Sequence, residues 1–389
     1  MENLLDKYAR KLVAAGLADE GAPLLGLVDA DVSWNREDSA CAVLDEVFRG
    51  LSINSLLLCR PAEPYRSIVD FLASRERQAI QPSDCETRTF IHDLPVSPRF
   101  DAHTVIAALR RRKSLIVPGT GIVSFGTVSP EQAFVVFSSA CFATFVKFFS
   151  DYLTLARRGG LDDDYRAVYE RVVPMLENPP ARPPALREGP FGDADTVVGA
   201  MDAAGKKTVE YGLVDSYFGN ISYRLGDTIY ISQTTSSLDE LPGCIDPCPL
   251  DGSSCAGVTA SSELTAHREV LTRTGAAAVL HGHPKFSVIM SMDCTRDDCE
   301  MAGECHRRCP HVREVRGVPI VPGEVGTGRY GLCNTVPSAM ENAPAAIVYG
   351  HGVFTVGERD FTDAFATLLR VETECREVFF ARVGECRQS

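Results

Sequence analysis

Short apolar runs that end in glycine or proline and give way to helical periodicity recur along this chain. "AVLHGHPKFSVIM", Ala278–Met290, begins as such a run and turns at Pro284. The run predicts a strand. Alternate strand residues share a face, so His281 and His283 project together where that strand ends. "LIVPGTGIVSFGTVSPEQAFVVFSSACFATFVKFF", from Leu115, predicts strand, glycine turn, strand and a helix of about four turns. "AIVYGHGVFTVGERDFTDAFATLLRVETECREVFF", from Ala346, repeats that order. The N-terminal "MENLLDKYARKLVAAGLADEG" has helical apolar spacing without a continuous apolar centre, which predicts an amphipathic helix and not a signal peptide. No apolar run approaches the roughly 18 residues of a membrane span, so a cytoplasmic protein is expected.

The repetition extends further. At a constant offset of 231, Gly119, Gly121, Gly126, Ala133 and Phe134 fall on Gly350, Gly352, Gly357, Ala364 and Phe365. "CRPAEPYRSIVDFL" aligns with "LHGHPKFSVIMSM", setting Pro64 on Pro284 and Ser67 on Ser287. In these registers His351 faces Thr120, His281 faces Pro61 and His283 faces Glu63, so the histidine set belongs to the second half alone. "LENPPARPPALREGP", 176–190, holds five of the chain's 23 prolines and reads as an extended linker. The expected organisation is a domain over 1–177 without metal ligands, a proline-rich linker over 178–190 and a second domain over 191–389. A length of 389 residues agrees with two domains.

Composition narrows the function. With 45% hydrophobic and 23% charged residues the chain is globular, and its net charge of −13 argues against nucleic-acid or membrane-surface partners. Fourteen cysteines without a secretion signal suggest reduced thiols or metal ligands. Cys294, Cys299, Cys305 and Cys309 lie in an insertion over 292–313. Their C-x4-C-x5-C-x3-C spacing matches neither paired zinc-ribbon nor ferredoxin patterns. A second, structural zinc or iron–sulfur site and reduced cysteines are both open readings there.

His281, His283 and His351 sit at strand ends in glycine- and proline-bounded turns, and three imidazoles with an open position suit a catalytic zinc. "TASSELTAHREVL" predicts a helix opening at Ser261, Ser262 and Glu263, where hydroxyls and free N–H groups can cap the helix or bind an anion.

These stretches together resemble the class II aldolase/adducin family. "GNIS", "ISQTTSS", "LDG", "SSE", "HGH", "GTG" and "YGHGVFTVG" occur in the family's order over about 194–384. The resemblance implies an α/β fold of three layers, α/β/α, with a central mainly antiparallel sheet, present here twice, the first copy divergent. It implies zinc or another divalent metal on His281, His283 and His351, and Glu263 as the acid/base residue. It also implies phosphate binding by Asn220, Thr235, Ser236, Ser261 and Ser262. Two positions depart from the family pattern. Ser236 stands where glycine is expected, and the tyrosine that donates a proton before "GT" is missing, leaving Glu324 or Tyr330 as substitutes.

The expected function is a metal-dependent carbon–carbon lyase of class II aldolase type. It would act on a small hydroxycarbonyl substrate, a sugar phosphate being one candidate, through a zinc-stabilised enediolate. Epimerase, dehydratase or decarboxylase chemistry on the same scaffold, an adducin-like non-catalytic interaction module and a redox protein centred on the cysteines are the alternatives. The resemblance also implies a homo-oligomer, either a tetramer or a dimer imitating one.

Overall fold

The computed structural model describes residues 3–214, 217–296, 298–324 and 328–388. The chain divides into two compact units, Met1–Glu177 and Asn178–Ser389. The proline-rich stretch over 178–190 has no regular secondary structure and is part of the second unit.

The first unit opens with α1 (Leu4–Ala14), β1 (Leu24–Val28), β2 (Val32–Trp34), α2 (Cys41–Gly50), β3 (Ser55–Cys59) and α3 (Tyr65–Arg75). It continues with β4 (Ala79–Ile80), α4 (Cys85–Phe90), β5 (Leu94–Pro95) and α5 (Ala102–Leu109). It closes with β6 (Ser114–Val117), β7 (Gly121–Gly126), α6 (Pro130–Arg157) and α7 (Asp163–Val172). Its main sheet runs β2-β1-β3-β7-β6, every pair antiparallel. α1, α3 and α6 lie on one face; α2 and α5 enclose an apolar cluster with Leu24, Leu56, Leu58 and Val123 on the other.

The second unit begins with α8 (Ala194–Glu210), β8 (Asn220–Leu225), β9 (Thr228–Ser232), β10 (Ile245–Pro249), α9 (Leu264–Thr274), β11 (Ala278–Gly282) and α10 (Lys285–Met292). After the cysteine-rich segment come β12 (Arg313–Val315), β13 (Val318–Val321), α11 (Leu332–Met340), β14 (Ala345–Val348), β15 (Val353–Gly357) and α12 (Phe361–Gln388). The sheet order is β10-β9-β8-β11-β15-β14-β13-β12, with one parallel pair, β13–β14. α8, α10 and α12 cover one face. α9 and α11 cover the other through Val270, Leu271, Val336 and Met340, which pack on Val279, Val348 and Phe354. This is the three-layer arrangement expected.

The strands β2-β1-β3-β7-β6 of the first unit have the order and senses of β9-β8-β11-β15-β14 in the second. The offset of 231 holds in detail: Ser114–Val117 maps onto Ala345–Val348, and Pro130–Arg157 onto Phe361–Gln388. The closing helices have 28 residues each, about twice the four turns expected. Their apolar faces continue because each helix packs across several strands of its sheet, Pro130–Arg157 on β7, β3, β1 and β6 and Phe361–Gln388 on β15 and β11. Pro130–Arg157 is also long and apolar enough to cross a membrane, contrary to the expectation that no run is, but most of its apolar window is buried.

The register at the histidine strand differs from the sequence alignment. Ser55 pairs with Gly126 as Ala278 pairs with Gly357, which sets Leu58, not Pro61, at the position of His281. The alignment through Pro64 and Pro284 holds only for the following helices. Five residues (60–64) separate β3 from α3, whereas two (283–284) separate β11 from α10.

Candidate metal centre

β11 places His281 on the sheet face shared with α9, and His283 follows directly after the strand ends at Gly282. The third imidazole, His351, comes from the turn between β14 and β15, where Gly350 adopts φ +57°. That turn is tied to the helix after the H-x-H segment, because Gly350 N–H donates to Ser291 Oγ at 2.8 Å. Gly352 must lack a side chain: a Cβ there would lie 2.5 Å from Gly282 O and 2.9 Å from the His281 ring. Sequence order and close packing thus deliver three imidazoles to one point.

All three are buried, with exposures of 0%, 2% and 3% for His281, His283 and His351. One ligand atom from each lies within 4.8 Å of the others. His281 Nδ1 meets Val353 O at 3.0 Å, so this nitrogen carries the proton and Nε2 keeps its lone pair. The ring stacks on Phe354 with centroids 3.9 Å apart. His281 Nε2 and His283 Nε2 approach to 2.9 Å, while His283 Nδ1 is buried without a partner. Two lone pairs facing each other repel, and protonating His283 Nε2 leaves Nδ1 as a buried orphan acceptor. A cation at the convergence point takes both Nε2 lone pairs and removes their repulsion, so the donor set fits a divalent metal. Burial pushes His281 down to about 4 and His283 well below the usual histidine range, keeping both neutral and able to bind one.

Glu263 stands at the cap of α9, yet its side chain makes no capping bond. Its Oε1 lies 3.2 Å from His351 Nε2 and its Oε2 3.5 Å from His281 Nε2. Burial alone would raise the carboxyl; the neighbouring His281 and His351 imidazoles and the Asn220 amide outweigh it and hold the group below the usual carboxylate range. Asn220 Nδ2 donates to Glu263 Oε2 at 2.8 Å. The amide implied to hold phosphate is thus already engaged with the acid/base candidate.

The remaining hydroxyl residues meet at one edge of this site. Ser261 N–H donates to Ser232 O and Thr234 N–H to Thr259 O, zipping the 233–237 turn to the start of α9. Ser261 is buried and its Oγ accepts from Glu263 N–H at 3.3 Å, whereas Ser262 is exposed. Ser236 Oγ donates to Gln233 O at 2.7 Å. Thr235 is exposed with φ +60°, one residue before Ser236, the position at which the family pattern has glycine. Such a conformation strains a β-branched residue. Thr235→Gly is accordingly expected to stabilise the chain by roughly 1 kcal/mol in urea unfolding, the relieved strain exceeding the entropy cost of glycine.

Other sequence candidates lie elsewhere. Glu324 pairs with Arg307 of the cysteine-rich segment at 3.2 Å, and the Arg307 guanidinium also lies over the Tyr330 ring. No contact of either residue with the histidines is found among the described residues. Gly326 and Thr327 of the "GTG" motif lie outside the described residues. Cys294, Cys299, Cys305 and Cys309 are half-buried cysteines. Burial, with Cys309 and Cys294 nearby, raises the Cys305 thiol. Among the described residues, the histidine trio is the one group whose donors converge within 4.8 Å, so the four thiols form no such set.

His267 and Glu372, both buried near the site, were not anticipated. Glu372 accepts from Phe286 N–H, Ser287 N–H and Ser287 Oγ–H at 2.8–2.9 Å, anchoring the helix that follows His283. His267 had a visible signal: it follows Glu263 by four residues, one helical turn on the same face.

Proteins of known structure are similar to about half of this chain. The chain resembles L-fuculose-1-phosphate aldolase from Thermus thermophilus at 25% identity, over 49% of this chain and 97% of that one, with a TM-score of 0.40. A sugar-phosphate aldolase from Thermotoga maritima matches at 18% identity over 49% and 96%, with a TM-score of 0.37. L-fuculose 1-phosphate aldolase from Glaciozyma antarctica PI12 matches at 15% over 52% and 79%, also at 0.37. None of the curated proteins compared with the chain matches it. The family model described as "Class II Aldolase and Adducin N-terminal domain" matches residues 200–379, the stretch that carries Asn220, Glu263 and all three histidines. That segment belongs to the class II aldolase and adducin N-terminal domain family.

Proposed function

We propose that residues 191–389 form a metal-dependent lyase domain that breaks or makes a carbon–carbon bond in a small hydroxycarbonyl substrate. One observation carries the reading: a buried carboxylate lies 3.2 and 3.5 Å from two of three converging, buried imidazoles. His281, His283 and His351 would hold the ion, zinc in the simplest case. Such an ion supplies Lewis-acid polarisation of a carbonyl or hydroxyl oxygen. Glu263 takes the proton from the substrate hydroxyl as the carbon–carbon bond breaks. It then returns that proton to the carbon beside the carbonyl, which received the bonding electron pair. Thr235, Ser236, Ser261 and Ser262, beside the N-terminus of α9, would receive an anionic group such as phosphate.

The test is metal analysis of the full chain, followed by incubation with small hydroxyketones, phosphorylated and not, with aldehyde release as the readout. Uptake of an ion and cleavage of one of these compounds is expected. A wild-type chain that takes up no zinc, cobalt or manganese would favour a non-catalytic interaction module.

The shared strand order and the 231-residue offset support reading the first unit as a divergent copy without metal ligands. Leu58 occupies the His281 register and Thr120 the His351 position. The expected stoichiometry by elemental analysis is therefore one ion per chain, abolished by His281→Ala. A second equivalent, lost in a Cys305→Ser/Cys309→Ser variant, would instead mean that the cysteine-rich segment closes around an ion.

A further inference from the structure

A buried chain of hydrogen bonds leads away from Glu263 and ends inside the sheet. His267, with 0% exposure, meets Asn220 Oδ1 through Nε2 at 2.5 Å and Ser222 Oγ through Nδ1 at 2.7 Å. Asn220 Nδ2 in turn donates to Glu263 Oε2 at 2.8 Å. The carboxylate end decides how every member is oriented. A carboxylate only accepts, so Asn220 must turn its NH2 to Glu263 and its carbonyl oxygen to His267. Burial pushes His267 down to about 3, which makes it a neutral ring with one N–H. Facing a carbonyl oxygen, that hydrogen must be on Nε2. Nδ1 then accepts from the Ser222 hydroxyl, and each of these donors and acceptors is matched.

The first unit supplies an internal comparison. Leu24 pairs with Leu58 as Asn220 pairs with His281, so Leu24 holds the Asn220 register and Gly26 that of Ser222. Leu44 follows its helix cap, Ala40, by four residues, as His267 follows Glu263. Leu24 and Leu44 are fully buried in one apolar cluster with Leu58. The same strands and helices therefore form without the polar chain. It is missing where the histidine ligands are missing, which ties it to the site and not to the fold.

We propose that His267 is the positioning residue of this centre. It holds the Asn220 amide with its NH2 toward Glu263, and through that bond holds the Glu263 carboxylate against His281 and His351. The inference rests on the metal-centre reading of the site for its purpose, but not for its geometry.

The test uses the full chain and the variants His267→Leu, His267→Gln and Asn220→Ala, first without metal and then with cobalt(II) alone. NMR of asparagine-labelled protein reads the Asn220 side-chain amide, assigned by its loss in Asn220→Ala. One slowly exchanging pair is expected in the metal-free wild type. It should persist in His267→Gln, whose amide can donate to the same oxygen, and exchange at least tenfold faster in His267→Leu. With cobalt(II), the visible absorption should shift in His267→Leu, because the released carboxylate changes the surroundings of the ion, and return in His267→Gln. A folded His267→Leu chain with an unchanged Asn220 pair and an unchanged cobalt spectrum would overturn the proposal and leave His267 a packing residue. Should His267→Leu fail to fold, the wild-type imidazole decides through its nitrogen resonances: hydrogen on Nε2 supports the proposal, and hydrogen on Nδ1 overturns it. Failure of the wild type to take up cobalt would sink the metal reading alone, since the amide and imidazole are read without metal.

Discussion

Glu263→Gln is expected to retain one ion per chain while turnover falls by about 10²–10⁴-fold, the usual contribution of a positioned proton carrier. The variant keeps shape and hydrogen-bonding capacity, so the neighbours need not rearrange. Three imidazoles are enough to hold zinc, and their positions depend on β11 and the Gly350 turn rather than on Glu263. An amide cannot accept a proton near neutral pH, however, and the proton-transfer step is lost. If Glu263 were only a helix-cap residue, Gln would cost little, but its side chain makes no capping bond. Elemental analysis beside an aldehyde-release assay separates the cases. Full activity in the metal-loaded variant would remove Glu263 from the chemistry, and loss of the ion would make it a fourth ligand.

His283→Ala is expected to lose both the ion and the activity. Loss of an outer partner of a metal ligand typically costs about 10–100-fold in affinity, and removing a ligand should cost more. The position also offers no substitute donor: His283 is 2% exposed, and its ring stacks against Phe218 with centroids 5.6 Å apart. His283→Gln controls for the cavity that alanine leaves, because it restores volume without an imidazole. Cobalt titration of the two variants is the measurement. Binding at wild-type affinity in either would show that His283 is not a ligand.

Much of this centre was legible because its residues are close in sequence to the features that position them. His281 and His283 are one residue apart at the end of a strand, His351 sits in a glycine turn, and Glu263 follows two serines at a helix start. The shared order of strand, turn, strand and helix was legible through its glycines, since bare backbone is needed at the same turns in both units. Misreadings arose where spacing in sequence and pairing in space diverge. The alignment through Pro64 placed Pro61 opposite His281, because three additional residues before α3 cannot be located without hydrogen-bond register.

By itself the sequence determined the strand and helix pattern, the concentration of histidines in the second half and the family motifs, all local properties of periodicity and spacing. Tertiary structure alone decided which polar groups are buried together. Asn220 and His267 are separated by 47 residues, and Glu372 and Phe286 by 86, yet each pair is bonded. It also decided that Glu324 and Tyr330 contact Arg307 instead of the histidines, and that four nearby cysteines form no converged donor set. The physical reason is that proximity in sequence limits distance but not direction. Where a side chain points is chosen by strand register, helix face and the demand that buried donors and acceptors be paired.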